Sequence, residues 1–555
     1  QLGRCVVHTH PSLVNGLLSA QGGRRALDEL FGDLEPPYLC IEYVDFGYPL
    51  AARMREAIEH YRSQQGRLPK VVFLENHGLL VSADGVDEAL ALTRRIFADV
   101  RRARHERMRE VRPRRVPSFT REQELETVAE ACAALRKVYA AVLGAPVLVR
   151  FSVAAPVQTF LAYPEAEALA RQGPLVPDQV VYCNGAPLWV PAPAEGESVR
   201  ELVCDLVQAH EAGPGSPVCV LVDGVGLFAV GTSPRLLESA LSTMEAVLDM
   251  MVVADCFGGA RPLSDRALQY IHDSEVEAYR YRLAAGESQA NPLAGRVAVV
   301  SGAGSGLGRG ISIGLARKGM HVVLADIDEE SARETARRIS QQGALGSGWP
   351  VRTDVTSEES VRALFQYVTA HLGGADVLVN AAGIAPPYAL IDFPLREWQK
   401  ALSVNLTGYF LMAREAARLM KRQGTGGNII NLSSKTGLDA SKNNGAYNAT
   451  KAGEIHLARG WALELAEYGI RVNSVCPGNV FRESKIWNPD YIRAMAQKRG
   501  IKPEELIPYY INLTALKVEI DWDDIAEAVA FLISPAASKI TGQTLVVDAG
   551  QVFVR

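Results

Sequence analysis

An apolar run that closes on a glycine-rich turn and reopens as a helix constrains this chain more than any other feature. Val297-Ala298-Val299-Val300-Ser301 reads as a buried strand, and Gly302-Ala303-Gly304-Ser305-Gly306-Leu307-Gly308 follows it directly. Glycines at 302, 306 and 308 let the backbone turn sharply and approach a pyrophosphate. The helix expected after Gly308 points its free N–H groups at that phosphate. The next strand, His321–Asp326, ends in a carboxylate eighteen residues after Gly308. An acid there hydrogen-bonds the ribose 2′-hydroxyl of NAD and repels the 2′-phosphate of NADP, so NAD is the expected cofactor. An aspartate that merely caps the following helix is the competing reading. A helix from Glu329 and a strand at Asp376–Asn380 continue the alternation. Such alternation predicts an α/β fold with a doubly wound parallel sheet.

The chain has 555 residues, room for about three domains. The boundaries fall at 1–111, 121–260, a polar helical linker over 261–291, and 292–555. The first region ends in the basic run Arg101-Arg102-Ala103-Arg104-His105-Glu106-Arg107, and Pro113 and Pro117 follow. The run is short and carries Glu106 and Glu110, so a solvated helix end and linker fit it better than a nucleic-acid surface. A net charge of −5 argues the same way, against both nucleic acid and an anionic membrane surface. No apolar run approaches the roughly 18 residues of a membrane helix. The eight cysteines are scattered without a Cys-x-x-Cys pair, which points to a reduced, cytoplasmic setting rather than a disulfide framework. The chain opens at Gln1 and reaches a strand, Val6-Val7-His8-Thr9-His10, almost at once. It therefore reads as a fragment of a longer protein.

His8 and His10 are two apart on that strand and share a face. His77 ends another strand, in Asn76-His77-Gly78. Three imidazoles with a free fourth position suit a catalytic zinc ion acting as a Lewis acid. The hairpin around His77, Val71–Val81, resembles Val218–Phe228, with Val225 standing where His77 does. The middle region reads as a relative of the first that has lost its chemistry.

Further motifs make the C-terminal half specific. Asp354-Val355 ends a third strand, Asn380-Ala381-Ala382-Gly383 ends a fourth, and Ser433-Ser434 precedes Tyr447-Asn448-Ala449-Thr450-Lys451. Tyr447 and Lys451 share one helix face, where the ammonium would lower the phenol's pKa from about 10 toward neutrality. With the spacing of the glycines and Arg471–Gly478, this set resembles the short-chain dehydrogenase family. The resemblance implies Ser434, Tyr447, Lys451 and Asn405 as catalytic residues. It implies Gly302, Ser305, Gly306, Leu307, Gly308, Asp326, Asp354, Val355, Asn380, Ala381, Gly383, Tyr447, Lys451, Pro477, Gly478 and Val480 as cofactor contacts. One departure stands out: the family commonly has a threonine just after the Pro-Gly, where this chain has Asn479-Val480-Phe481. The carboxamide contact then falls to the Val480 backbone.

His8-Thr9-His10-Pro11-Ser12 and Asn76-His77-Gly78-Leu79-Leu80 resemble the class II aldolase and adducin-head family. That resemblance implies zinc on His8, His10 and His77, with the family's phosphate loops and upstream glutamate lying before Gln1. The combination resembles the bifunctional fusions of rhamnulose-1-phosphate aldolase with lactaldehyde dehydrogenase. It implies small-molecule substrates, a sugar phosphate and an aldehyde or alcohol, in a homo-oligomer. Two other readings stay open: a dehydrogenase of another polyol with the front half as scaffold, and a front half that is a non-catalytic interaction module.

Overall fold

The computed structural model describes residues 3–194, 197–209, 215–285, 291–484 and 487–552. Parts of the expected segments, including 286–290 of the linker, therefore lie outside the described residues. The chain divides into two compact units, residues 1–127 with 150–287 and residues 128–149 with 288–555. The regions drawn at 1–111 and 121–260 thus lie mostly in one unit, while 128–149 falls in the other.

In the first unit, β1 (Cys5–Thr9), β2 (Leu39–Ile41), β3 (Val71–Leu74) and β4 (Gly78–Ala83) form a sheet in the order β1-β4-β3-β2. A second sheet is made by β5 (Leu148–Ser152), β6 (Leu188–Val190), β7 (Cys219–Val222) and β8 (Gly226–Gly231), in the order β5-β8-β7-β6. The pairing is the same in both. β3/β4 and β7/β8 are antiparallel hairpins, and β2/β3 and β6/β7 are parallel. Leu74 opposes Gly78 in the first hairpin and Val222 opposes Gly226 in the second. β3, β4 and the helix Val86–Met108 recur 148 residues on as β7, β8 and the helix Pro234–Cys256. The likeness of two hairpins in the sequence therefore extends to two whole sheets. Both turns need a left-handed residue, which Asn76 (φ 53°) and Gly224 (φ 75°) supply at low cost. The second long helix is capped by Ser233, whose hydroxyl accepts the Leu236 N–H, and its apolar side is almost wholly buried.

The second unit is built on seven parallel strands: β9 (Val297–Ser301), β10 (His321–Asp326), β11 (Gly348–Arg352), β12 (Val377–Asn380), β13 (Gly427–Leu432), β14 (Ile470–Pro477) and β15 (Thr544–Val547). Their order is β11-β10-β9-β12-β13-β14-β15. This is the doubly wound sheet expected, and its order reverses between β9 and β12, where such sheets bind ligands at their carboxyl ends. The helix after the glycine turn begins at Gly306, inside the turn rather than after Gly308 as expected. It packs on the helix Trp522–Ile533 through Gly310 and Gly314, where a Cβ would sit 2.3 Å from Trp522 Cβ and 2.6 Å from Ala526 Cβ. Asp376 stands just before β12, accepting the Val297 N–H at 2.7 Å and Arg136 Nη2 at 2.9 Å. That part-buried pair fastens residues 128–149 to this sheet. Among the described residues, no helix is long and apolar enough to cross a membrane.

Candidate active site and metal cluster

The carboxyl ends of β9, β10, β12, β13 and β14 bring most of the expected residues of the second unit together. Gly302 (φ 66°) lies so near the next strand that a Cβ would meet Ala382 Cα at 2.9 Å. Gly308 sits on the Gly302 carbonyl, where a Cβ would come within 2.2 Å of its oxygen. Ser305 and Leu307 flank Gly306 at the helix N-terminus. Asp326 ends β10, and its carboxylate accepts the Gly304 N–H at 2.8 Å and the Asp328 N–H at 2.9 Å. The acid is thereby tied to the glycine turn itself. Asp354 instead closes its own turn on Thr356, by the Thr356 N–H at 2.9 Å and its hydroxyl at 2.7 Å. Val355 packs against Gly408.

Asn380 is fully buried and donates to Asn431 Oδ1 at 3.1 Å, while Ser301 Oγ accepts the Ala381 N–H at 3.0 Å. Gly383 lies against two other expected residues: a Cβ there would sit 3.6 Å from Asn405 Oδ1 and 3.8 Å from Lys451 Nζ. Asn405 is buried in a single π-turn, Ser403–Thr407, and exchanges two 2.9 Å hydrogen bonds with the Ile384 backbone. Such turns inside helices cluster at functional sites.

Tyr447 and Lys451 lie one turn apart on the helix Gly445–Leu465, with Lys451 Nζ 5.5 Å from the centre of the Tyr447 ring. Lys451 is buried and donates to Leu432 O at 2.7 Å and Glu454 Oε2 at 3.0 Å. Burial alone would depress its ammonium, but Glu454, Tyr409 and Tyr447 outweigh that and hold it above its ordinary value. Of the two serines, Ser433 spends its hydroxyl on Lys451 O at 2.6 Å. Ser434 Oγ only accepts, from the Thr436 N–H and hydroxyl. A cavity of about 520 Å³ opens here, lined by Leu307, Ser434, Tyr447, Pro477, Gly478 and Val480.

Sequence reasoning missed two features of this cavity. Glu454 sits three residues from Lys451 on the same helix face, and spacing could have flagged it, but a lone helix glutamate reads as solvated. The second feature is a set of cations on the cavity wall: Lys435, Lys442, Lys498 and Arg499. Burial, with Arg499 nearby, pushes Lys435 down to about 8 against the pull of Asp548 and Asp439. Lys498 is lowered by burial and by Arg499 and Lys442.

In the first unit, His8, His10 and His77 come together with ligand atoms all within 4.8 Å of one another. His10 stands one residue beyond β1 and still shares the face of His8. His8 Nε2 and His10 Nε2 are 3.0 Å apart, close to the roughly 3.3 Å expected of two nitrogens on one tetrahedral zinc. His8 Nδ1 lies 3.1 Å from Leu79 O, a contact that directs Nε2 toward the cluster. Burial lowers the His8 imidazole, and burial with His10 and His8 nearby lowers His77 to about 4. Neutral imidazoles are the form a metal needs, so the donor set fits zinc.

A family model described as enoyl-(acyl carrier protein) reductase matches residues 302–551, and one described as class II aldolase and adducin N-terminal domain matches residues 3–96. The sorbitol-6-phosphate 2-dehydrogenase of Escherichia coli is 41% identical over 260 residues, 46% of this chain and 99% of that protein. The chain belongs to the short-chain dehydrogenase/reductase family. The uncharacterized oxidoreductase YuxG of Bacillus subtilis is 28% identical to this short-chain dehydrogenase over 583 residues, 98% of the chain and 80% of YuxG. The crystal structure of a sorbitol-6-phosphate 2-dehydrogenase from Erwinia amylovora shares 40% identity with it, covering 46% of this chain and 99% of that one, with a TM-score of 0.44. This short-chain dehydrogenase/reductase thus carries a class II aldolase/adducin domain at its N-terminal end.

Proposed function

We propose that the second unit is an NAD-dependent dehydrogenase of small hydroxy or carbonyl compounds and that the first is a zinc-dependent aldolase. One observation carries the dehydrogenase reading: Tyr447 and Ser434 line the same cavity as Pro477, Gly478 and Val480, at the switch point of the sheet. Ser434 Oγ hydrogen-bonds the substrate oxygen. Tyr447 gives a proton to that oxygen in reduction and takes it in oxidation. Lys451 holds positive charge beside the phenol, and Asn405 orders the route by which the proton is replaced. Gly302, Ser305, Gly306, Leu307 and Gly308 receive the cofactor pyrophosphate, Asp326 the adenosine ribose, and Asp354, Val355, Asn380, Ala381 and Gly383 the rest of its cleft. When bound, NAD supplies the hydride acceptor or donor for the substrate carbon. In the first unit His8, His10 and His77 hold the metal, which when bound supplies a Lewis acid at a substrate oxygen.

The paired activities suit a deoxysugar route in the cytoplasm, in which a homo-oligomer cleaves rhamnulose-1-phosphate and the dehydrogenase converts the lactaldehyde released. The scatter of the eight cysteines, with no Cys-x-x-Cys pair, supports a reducing compartment. A second reading is favoured by the cavity's cations and by the 41% identity to a sorbitol-6-phosphate 2-dehydrogenase: oxidation of a polyol phosphate. The test is NADH formation followed by absorbance with L-lactaldehyde, with unphosphorylated polyols and with polyol phosphates. Turnover of lactaldehyde alone supports the first reading and turnover of phosphates alone the second. No turnover with any of them sinks both. Zinc content of the full chain, with retro-aldol assay on rhamnulose-1-phosphate, tests the aldolase half.

A further inference from the structure

The two sheets of the first unit carry the same elements, yet their equivalent positions differ in chemistry. A Cβ at Gly78 would sit 2.7 Å from Thr9 O and 3.3 Å from His8 Cε1. A Cβ at the equivalent Gly226 would sit 2.7 Å from Ser152 O and 2.6 Å from Phe151 Cε2. Phe151 therefore stands where His8 does, and Val225, 148 residues after His77, stands where His77 does. The Phe151 ring packs on Phe228 with centroids 5.0 Å apart. The second sheet has exchanged the ligands of the first for apolar packing.

The second repeat nevertheless faces the histidines of the first. A cavity of about 350 Å³ lies against His10 and His77, and its far wall includes Asp178, Ser242 and Arg280. Asp178 stands in the first turn of the helix Pro177–Cys183, which packs on the helix Pro234–Cys256 of that repeat. Its Oδ2 is 3.7 Å from His10 Nδ1, and its Oδ1 accepts Arg280 Nη2 at 3.2 Å. Arg280 is held in turn by both oxygens of the buried Glu277, at 3.1 and 2.9 Å. On the near wall, Asn15 is buried and donates to His77 O at 3.0 Å, while its Oδ1 has no partner.

We propose that the second repeat, in which Phe151 and Val225 stand where His8 and His77 do, completes the metal centre of the first by supplying Asp178 as the positioning residue of His10. The inference rests on the metal reading of His8, His10 and His77. A ligating imidazole needs its second nitrogen held, since that bond sets both the tautomer and the ring's direction. His8 has the Leu79 carbonyl for this. His10 lies beyond the end of β1, and the Asp178 carboxylate, 3.7 Å from its Nδ1, is the group placed to take the role. Arg280 and Glu277 hold the carboxylate in position.

The experiment is zinc titration of the full-length chain against a chromophoric chelator. Wild type is expected to bind one zinc per chain. Asp178→Asn and Asp178→Ala are expected to bind it about 10- to 100-fold more weakly, and Asp178→Glu to recover most of the loss. Circular dichroism and the thermal unfolding midpoint of the metal-free chain serve as the measure of folding and are expected to stay unchanged. Wild-type zinc affinity in Asp178→Asn overturns this inference alone. Absence of zinc from the wild-type chain overturns the metal reading and this inference with it. Equal weakening in Asp178→Glu would assign Asp178 a merely structural role and also overturn the proposal.

Discussion

Lys451 and Glu454 form a buried hydrogen-bonded pair, with Nζ and Oε2 3.0 Å apart and Glu454 wholly without exposed surface. The other carboxylate oxygen of Glu454 has no partner. Burial pushes this carboxyl from 4.5 up to about 8, against the pull of Lys451. An acid raised in the folded state keeps a proton that the unfolded chain has already released. Its contribution to stability is complete below 4.5 and is lost as pH rises through about 8. The wild-type unfolding midpoint should therefore fall across that window, and Glu454→Gln should flatten the fall. Thermal melts at constant ionic strength measure both, and an unaltered slope in the variant would assign the effect to other groups.

Tyr447→Phe keeps the ring that lies 5.5 Å from Lys451 Nζ and removes the one hydroxyl placed to move a proton. Turnover should drop by about 10²- to 10⁴-fold, while NADH affinity by fluorescence stays near wild type. Ser434→Ala should lower turnover as well, and Ser433→Ala should act mainly on stability, because its hydroxyl is bonded to Lys451 O at 2.6 Å. A Tyr447→Phe enzyme at full speed would remove the assigned proton donor.

Asp326 is fixed to the glycine turn by the 2.8 Å bond from Gly304 N–H, so its charge cannot swing away from a 2′-phosphate. Wild type should prefer NAD over NADP by about 100-fold in kcat/KM, which corresponds to about 2.8 kcal/mol of repulsion and lost hydrogen bonding. Asp326→Ser should narrow the ratio, chiefly by improving NADP. Steady-state kinetics with both cofactors decide it, and equal use of the two by wild type would refute the role.

The cations at 435, 442, 498 and 499 make an anionic substrate end the cheapest occupant of their side of the cavity. Arg499→Ala should raise KM for a polyol phosphate roughly tenfold, the loss of about one charge-assisted hydrogen bond. It should leave KM for an unphosphorylated polyol nearly unchanged. If both KM values rise together, Arg499 serves the wall of the cavity, through its contacts with Tyr509 and Tyr510 at 3.1 and 3.3 Å, rather than the substrate.

The sequence read well wherever the physics was local. β9 and β10 have the bounds expected, because a strand of apolar residues bounded by glycine or a charge carries its own signature. Tyr447 and Lys451 fell on one helix face because 3.6 residues per turn leaves no other choice. The helix was expected after Gly308 and begins at Gly306, since a turn built of glycines gives no local mark of where helical geometry begins. Glu454 was missed for a different reason: its spacing was visible but its burial was not.

By itself, then, the sequence determined the parallel sheet, the glycine turn with Asp326, and the identity of the residues around Tyr447. Each depends on backbone preferences and periodicities that act over a few positions. Tertiary structure alone decided that 128–149 joins the second unit, that Glu454 is enclosed with Lys451, and that His77 meets His8 and His10 from 69 and 67 residues away. It also decided that the repeat with Phe151 and Val225 in place of His8 and His77 holds Asp178 3.7 Å from His10. These are contacts between residues far apart in the chain, set by how whole elements pack, and no short-range pattern encodes them.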